Sequence, residues 1–416
     1  MRQAAPGAGL SAGGPCPGTD APGSLGWCPP VGTLLCVANF PASTGYAWTF
    51  IGRMFAEVAN ALAHEGIRTR VAYPVLDARP DALAGSAADV LGLDLSLSSP
   101  RSIRAAVDLV RRERVRAVWL IDRPVVSPAY AVLHAAGVRR VVVHDHSSGA
   151  RPVHGGVRSV AKRLATRLPW AAADAVVAVS EYVAHRQRTA GGVPPARIHL
   201  VPNPVSIPEA LSPRAEVRAG LGLVPGRRLV AAAGRLTAEK GFADLLEAAD
   251  RLPEDVDLLV LGDGPERSRL EALRAQLRTG ARVRLVGPRP DAAECVAAAD
   301  VCVVPSRWEE AFCLAAAEPL ARGRPLVATR VGAIPELVHD EVTGLLVPPE
   351  SPPALAGAIR RLLDTPDLCA ALGQAGRAHL VARHGWPRAV AGMASVLAPA
   401  FGAHRDVGSS VPVPKR

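Results

Sequence analysis

Lysine is almost missing from this chain: Lys162, Lys240 and Lys415 are the three in 416 residues. The formal net charge is nonetheless +10, so arginine carries nearly all of it. Aromatic residues make up only 4%. Cores must then be built from alanine, valine and leucine. Basic residues are also not interleaved with aromatics, which sets nucleic acid aside as a partner. Other anionic partners, such as nucleotide phosphates, an acidic acceptor or a lipid surface, stay open. The seven cysteines are an odd number and form no C-x-x-C pair. That argues against a disulfide scaffold or a zinc site and for reduced thiols in the cytoplasm. No apolar run approaches the ~20 residues of a membrane span. No G-x-G-x-x-G follows the first apolar strand, which argues against a dinucleotide dehydrogenase. Residues 1–30 are rich in glycine, proline and alanine, without a basic stretch leading into an apolar core. They read as a disordered extension rather than a secretory signal. Residues 401–416 read as a disordered tail.

What is present is globular: 49% hydrophobic and 21% charged residues, enough for two domains of ordinary size. Short apolar runs alternate with helical patterns, the signature of a parallel α/β sheet. The first half, 31–204, starts with a strand at 33–39, a loop, a long helix at 49–64 and a strand at 67–73. Two later strands end in polar residues. One, at 117–121, runs into Asp122. The other, at 140–143, runs into His144-Asp145-His146-Ser147-Ser148-Gly149. One of the two histidines is expected to face a cleft at the sheet edge. Residues 158–168, RSVAKRLATRL, form a basic amphipathic helix. Such a helix can lie on an anionic bilayer. It can also pack its leucines on the sheet and solvate its arginines, which is the expected arrangement. Residues 205–227 read as a linker.

The second half, 228–383, carries the strongest pattern. A strand at 229–233 leads into Gly234-Arg235-Leu236-Thr237-Ala238-Glu239-Lys240-Gly241 and a helix. Arg235 and Lys240 between strand and helix are good phosphate-binding equipment. Farther on, the buried strand 301–304 ends in a loop with Glu309 and Glu310. An apolar helix from about 312 to 322 follows and carries Glu318. A carboxylate among Ala315, Ala316, Ala317 and Leu320 wants a partner with hydroxyls or positive charge. Glu310 and Glu318, a little over two helical turns apart, are expected to face one crevice at the carboxyl ends of the strands.

The spacing Glu-x7-Glu is followed by Gly-Arg-Pro-Leu-Val-Ala-Thr, Gly-Ala-Ile-Pro-Glu-Leu-Val and Thr-Gly-Leu-Leu-Val-Pro-Pro. Together with Gly234-Arg235 and Lys240-Gly241, this set resembles the retaining glycosyltransferase family 4. The resemblance covers roughly residues 34–397 and is stronger from residue 230 onward. It implies an α/β GT-B fold: two Rossmann-like doubly wound domains across a cleft, with a last helix, 384–400, crossing back to the first. It implies a nucleotide-diphosphate-sugar donor, UDP- rather than GDP-linked. The acceptor would be a glycan, a lipid-linked molecule or a small molecule. No metal and no cofactor are implied, and the turn Gly262-Asp263-Gly264-Pro265 is read as structural. Arg235 and Lys240 match the diphosphate pair, and Glu318 the ribose ligand. Glu310 and His144 would meet the donor sugar. Gly45, preceded by Thr44, stands where a Gly-Gly loop is usual, and Arg289 stands in the loop near the base. Phe312, Cys313 and Leu314 would open the helix toward the diphosphate, with Cys313 where glycine is usual. Pro319, directly after Glu318, is expected to kink that helix. A nucleotide-sugar-binding partner without turnover and an epimerase of the same fold are the alternatives.

Overall fold

The computed structural model describes residues 31–43, 46–153 and 155–402. Gly45, residues 1–30 and residues 403–416 lie outside the described residues.

Among the described residues, thirteen strands fall into two wholly parallel sheets. The first contains β1 (Gly32–Val37), β2 (Ile67–Tyr73), β3 (Ala88–Gly92), β4 (Val115–Ile121), β5 (Arg140–Asp145), β6 (Ala175–Ala178) and β7 (Ile198–Leu200). Its order is β3-β2-β1-β4-β5-β6-β7. The second contains β8 (Arg228–Ala233), β9 (Val256–Leu261), β10 (Val283–Leu285), β11 (Val301–Val304), β12 (Leu326–Thr329) and β13 (Leu345–Val347). Its order is β10-β9-β8-β11-β12-β13. Both orders reverse direction beside their first strand. The reversal opens a crevice at the carboxyl ends of the strands, where open α/β sheets bind ligands.

The central strands are buried along most of their length, which is why they read as apolar runs. β3 gave no such signal. Its sequence Ala-Asp-Val-Leu-Gly sits at the sheet edge and is partly exposed, so no apolar pattern was required of it.

The last helix, Trp386–Leu397, leaves the second half and packs against the helix Tyr46–Ala63. Ala389, Met393 and Leu397 are buried in one core with Phe55 and Trp119. Phe401 is buried in that core too, so the expected disordered tail does not begin at residue 401. The ring seals the edge of the core beside Gly32.

One expectation is reversed. The helix Gly156–Ala165 was to pack its apolar stripe on the sheet, yet it buries no residue. Val157 is 85% exposed and Leu164 61% exposed. Its inner side is instead polar. Thr166, just past its end, is buried and donates its hydroxyl to the carbonyls of Arg163 and Gly192. Among the described residues no helix is long and apolar enough to cross a membrane.

Candidate active site

The carboxyl ends of β8 and β11 bring two sequence-distant segments together. After β8 the chain makes a short 3-10 turn, Ala238–Lys240, before the helix Phe242–Ala249. After β11 it enters the loop with Ser306, Trp308, Glu309 and Glu310. Lys240 Nζ donates to Glu310 Oε1 at 2.5 Å, and Ser306 Oγ donates to the same oxygen at 2.8 Å. Glu310 is only 5% exposed. Its backbone is fixed as well, since its carbonyl accepts the Ala333 N–H at 2.8 Å. Burial disfavours the Lys240 ammonium, but the Glu310 carboxylate beside it outweighs that and raises its pKa. Lys240 is therefore a cation at neutral pH, held at one point. Arg235 contrasts with it. Its side chain is 75% exposed and lies 4.0 Å from Glu239, so most of its fork faces solvent. A cavity of about 430 Å³ opens here, lined by Ser148, Arg235, Glu239, Lys240, Trp308 and Glu310.

The first domain closes one wall of this cavity. Gly149 donates its N–H to the Glu309 carbonyl at 2.7 Å, and Ala150 donates to the Glu309 carboxylate at 3.2 Å. Trp308 lies against Gly149: a Cβ there would come within 2.4 Å of the indole nitrogen, and the Gly149 φ is +93°. Close approach and positive φ both demand glycine. A second bridge is made by Glu336. Its carboxylate accepts the N–H groups of Glu181 and Tyr182, at 2.8 and 2.7 Å, and so caps the helix Glu181–Thr189 across the cleft. Burial raises the Glu336 pKa.

Several predicted site residues lie elsewhere. Glu318 does not share the first cavity with Glu310. On the helix Leu314–Ala321, Leu314 and Glu318 are four positions apart and share a face, which Arg322 continues. That face lines a second cavity of about 420 Å³, together with Phe50, Arg53 and Trp386. The helix runs from Leu314 to Ala321 with Pro319 inside it. Cys313 is buried at its start, and its thiol is pushed up to about 12 by burial and then by Glu310. Phe312 packs on the His384 ring, 5.5 Å between centroids, and does not line the first cavity.

His144 does not face the cleft. It is 1% exposed, tilted against Trp119, and lies on the same face of β5 as the core residue Val142. Residues two apart in a strand share a face, so the ring follows Val142 inward. His146 is turned to the same side: the two rings are 4.1 Å apart. The expectation that only one would point that way is corrected. Burial lowers both pKa values, that of His146 to about 4. Asp122 adopts a φ of +49° and accepts the His146 N–H at 2.6 Å, and burial raises its pKa to about 6. It lines neither cavity. Arg289 forks onto Asp291, at 2.8 Å through each of two nitrogens, and lines neither cavity.

The residues that sequence reasoning passed over are Ser148, Glu239 and Trp308. Trp308 had a usable signal, being a tryptophan between charged neighbours in a chain poor in aromatics. The sequence contains an Asp-x-Asp, Asp255-Val256-Asp257. It stands at the opposite, amino-terminal end of β9, where Asp255 pairs with Arg228 and Asp257 with Arg227.

Comparison with known proteins is decisive for the family. Residues 51–208 match the family described as Glycosyltransferase Family 4, and residues 213–379 match Glycosyl transferases group 1. The chain belongs to the family 4 glycosyltransferases. A D-inositol 3-phosphate glycosyltransferase of Xylanimonas cellulosilytica is 37% identical over 243 residues, 55% of this chain and 58% of that protein. The match thus spans little more than half of that relative. A GDP-mannose-dependent monoacylated phosphatidylinositol monomannoside mannosyltransferase of Corynebacterium glutamicum is 27% identical, covering 70% of this chain and 78% of that one. Anabaena HepE, solved in complex with UDP-glucose, superposes with a TM-score of 0.73 at 21% identity, covering 88% of this chain and 99% of that one. The fold shared with HepE and with this family is the two-domain α/β GT-B fold.

Proposed function

We propose that the chain transfers a sugar from a nucleotide-diphosphate sugar to a glycan, lipid-linked or small-molecule acceptor, with retention of anomeric configuration and without a metal. The observation that carries this reading is the fixed Lys240–Glu310 pair beside the open Arg235 fork, in a cavity that both domains wall. Breaking a sugar–diphosphate bond gathers negative charge on the leaving diphosphate. Arg235 and Lys240 supply preorganised positive charge where it develops. Glu310 keeps one oxygen on Lys240 and Ser306 and presents the carboxylate to sugar hydroxyls. Retention would come from attack on the face the diphosphate leaves, with that phosphate taking the acceptor proton. No protein nucleophile is then needed. The Glu309 and Glu336 bridges fit a site that is completed when the domains close.

For the base we infer UDP rather than GDP. The UDP-glucose complex of HepE supports this and the GDP-mannose-dependent relative opposes it, so the choice is put to measurement. Calorimetric titration with UDP, GDP and ADP in EDTA is expected to show one nucleotide binding. Arg235→Ala should weaken it by roughly tenfold to a hundredfold, the loss of one charge-assisted contact. Binding that needs added metal, or no binding of any of the three, overturns the proposal.

A further inference from the structure

The helix Gly156–Ala165 is packed with its apolar side outward. Val157, Val160 and Leu164 recur at helical spacing, and Leu168 extends the row. All four are exposed, as are Val153 before the helix and Trp170 after it. A solvent-facing row of this size on an otherwise well-packed domain marks a contact surface. The row has a charged frame. At about 100° per residue, Arg158 falls on one side of it and Arg163 and Arg167 on the other, while Lys162 lies farther round toward the back of the helix. From residue 146 to residue 173 the sequence contains no aspartate or glutamate.

We propose that this face docks the protein on an anionic lipid bilayer. The frame chooses the occupant. A second copy meeting the same face about a two-fold axis would set these cations against themselves. An anionic headgroup layer instead neutralises them, while the valines and leucines enter the acyl boundary and Trp170 sits at the interface. The long basic side chains can extend along the apolar row and keep their charges at the headgroups. The helix follows closely on the loop that carries Ser148 and Gly149. Docking would therefore bring the mouth of the cleft to the lipid surface.

The test is sedimentation with vesicles of phosphatidylcholine alone and of phosphatidylcholine mixed equally with phosphatidylglycerol. The full chain should partition onto the mixed vesicles, not the neutral ones, and less so as salt is raised. Val157→Ser/Leu164→Ser and Lys162→Glu/Arg163→Glu should each lower that partition at least about tenfold. All these side chains are exposed, so thermal unfolding and nucleotide titration should match the unsubstituted protein. No partition onto mixed vesicles overturns the proposal. So does equal partition of the Val157→Ser/Leu164→Ser protein. A solution dimer abolished by that same pair of changes would assign the face to a second copy instead. Because the readout is lipid binding, it stands or falls separately from the nucleotide site.

Discussion

Lys240→Ala is expected to lower turnover of the nucleotide sugar by roughly 10²–10³-fold, the usual loss when one preorganised charge at a developing anion is removed. Two effects combine. The diphosphate loses a cation held at a single point, 2.5 Å from Glu310. Glu310, 5% exposed, also loses the ammonium that pairs with it. A buried charge stripped of its partner is costly, so thermal unfolding of the variant should be lowered too. Turnover must therefore be measured per folded molecule. Lys240→Arg separates the two effects. It restores positive charge but brings a planar fork where the site holds a compact ammonium. Nucleotide binding is expected to return more fully than turnover. A folded Lys240→Ala protein with kcat within about threefold of the unsubstituted one would remove Lys240 from the mechanism.

Gly332→Ala should be nearly as damaging, although residue 332 lines neither cavity. Its φ is +53°, and an added Cβ would come within 2.4 Å of both the backbone nitrogen and the carbonyl oxygen of Glu310. Backbone cannot rotate away as a side-chain tip can. The strain of the left-handed conformation and the overlap together are expected to destabilise the protein by about 2–4 kcal/mol. The relief available is to push the Glu310 loop outward, which breaks the Lys240 contact. Turnover and thermal unfolding should fall together, whereas Ala333→Gly next door should change both far less. Normal activity in a Gly332→Ala protein would show that Glu310 need not be held where it is.

The strands β8 and β11 of the second sheet were readable because they are short, mostly buried and almost wholly apolar. The cationic pair was readable for a similar reason: Arg235 and Lys240 fall between a strand and a helix, and that position alone brings them to the cleft. The failures came where direction mattered. Glu310 and Glu318 are close in sequence, but one precedes the helix and the other rides its side, so they line different cavities. His144 was judged by its place at a strand end, whereas the pleat commits it to the same side as Val142. Phe312 reads like a site residue and is spent on contacts between domains. The basic helix shows the limit most plainly. Amphipathicity reports that two faces exist, and the surrounding packing decides which one meets the protein. Ser148 became visible only when the two domains were seen together.

The scarcity of lysine has a practical consequence. Of the three, Lys240 stands in the cavity lined by Arg235 and Glu310 and Lys162 on the outward-facing helix. An amine-selective acylating reagent thus finds very few targets in this chain, and peptide masses distinguish them. Lys240, protonated and held by Glu310, should react slowly, and the exposed Lys162 readily. A single digest of the labelled protein would report both rates in the same sample, without any substitution.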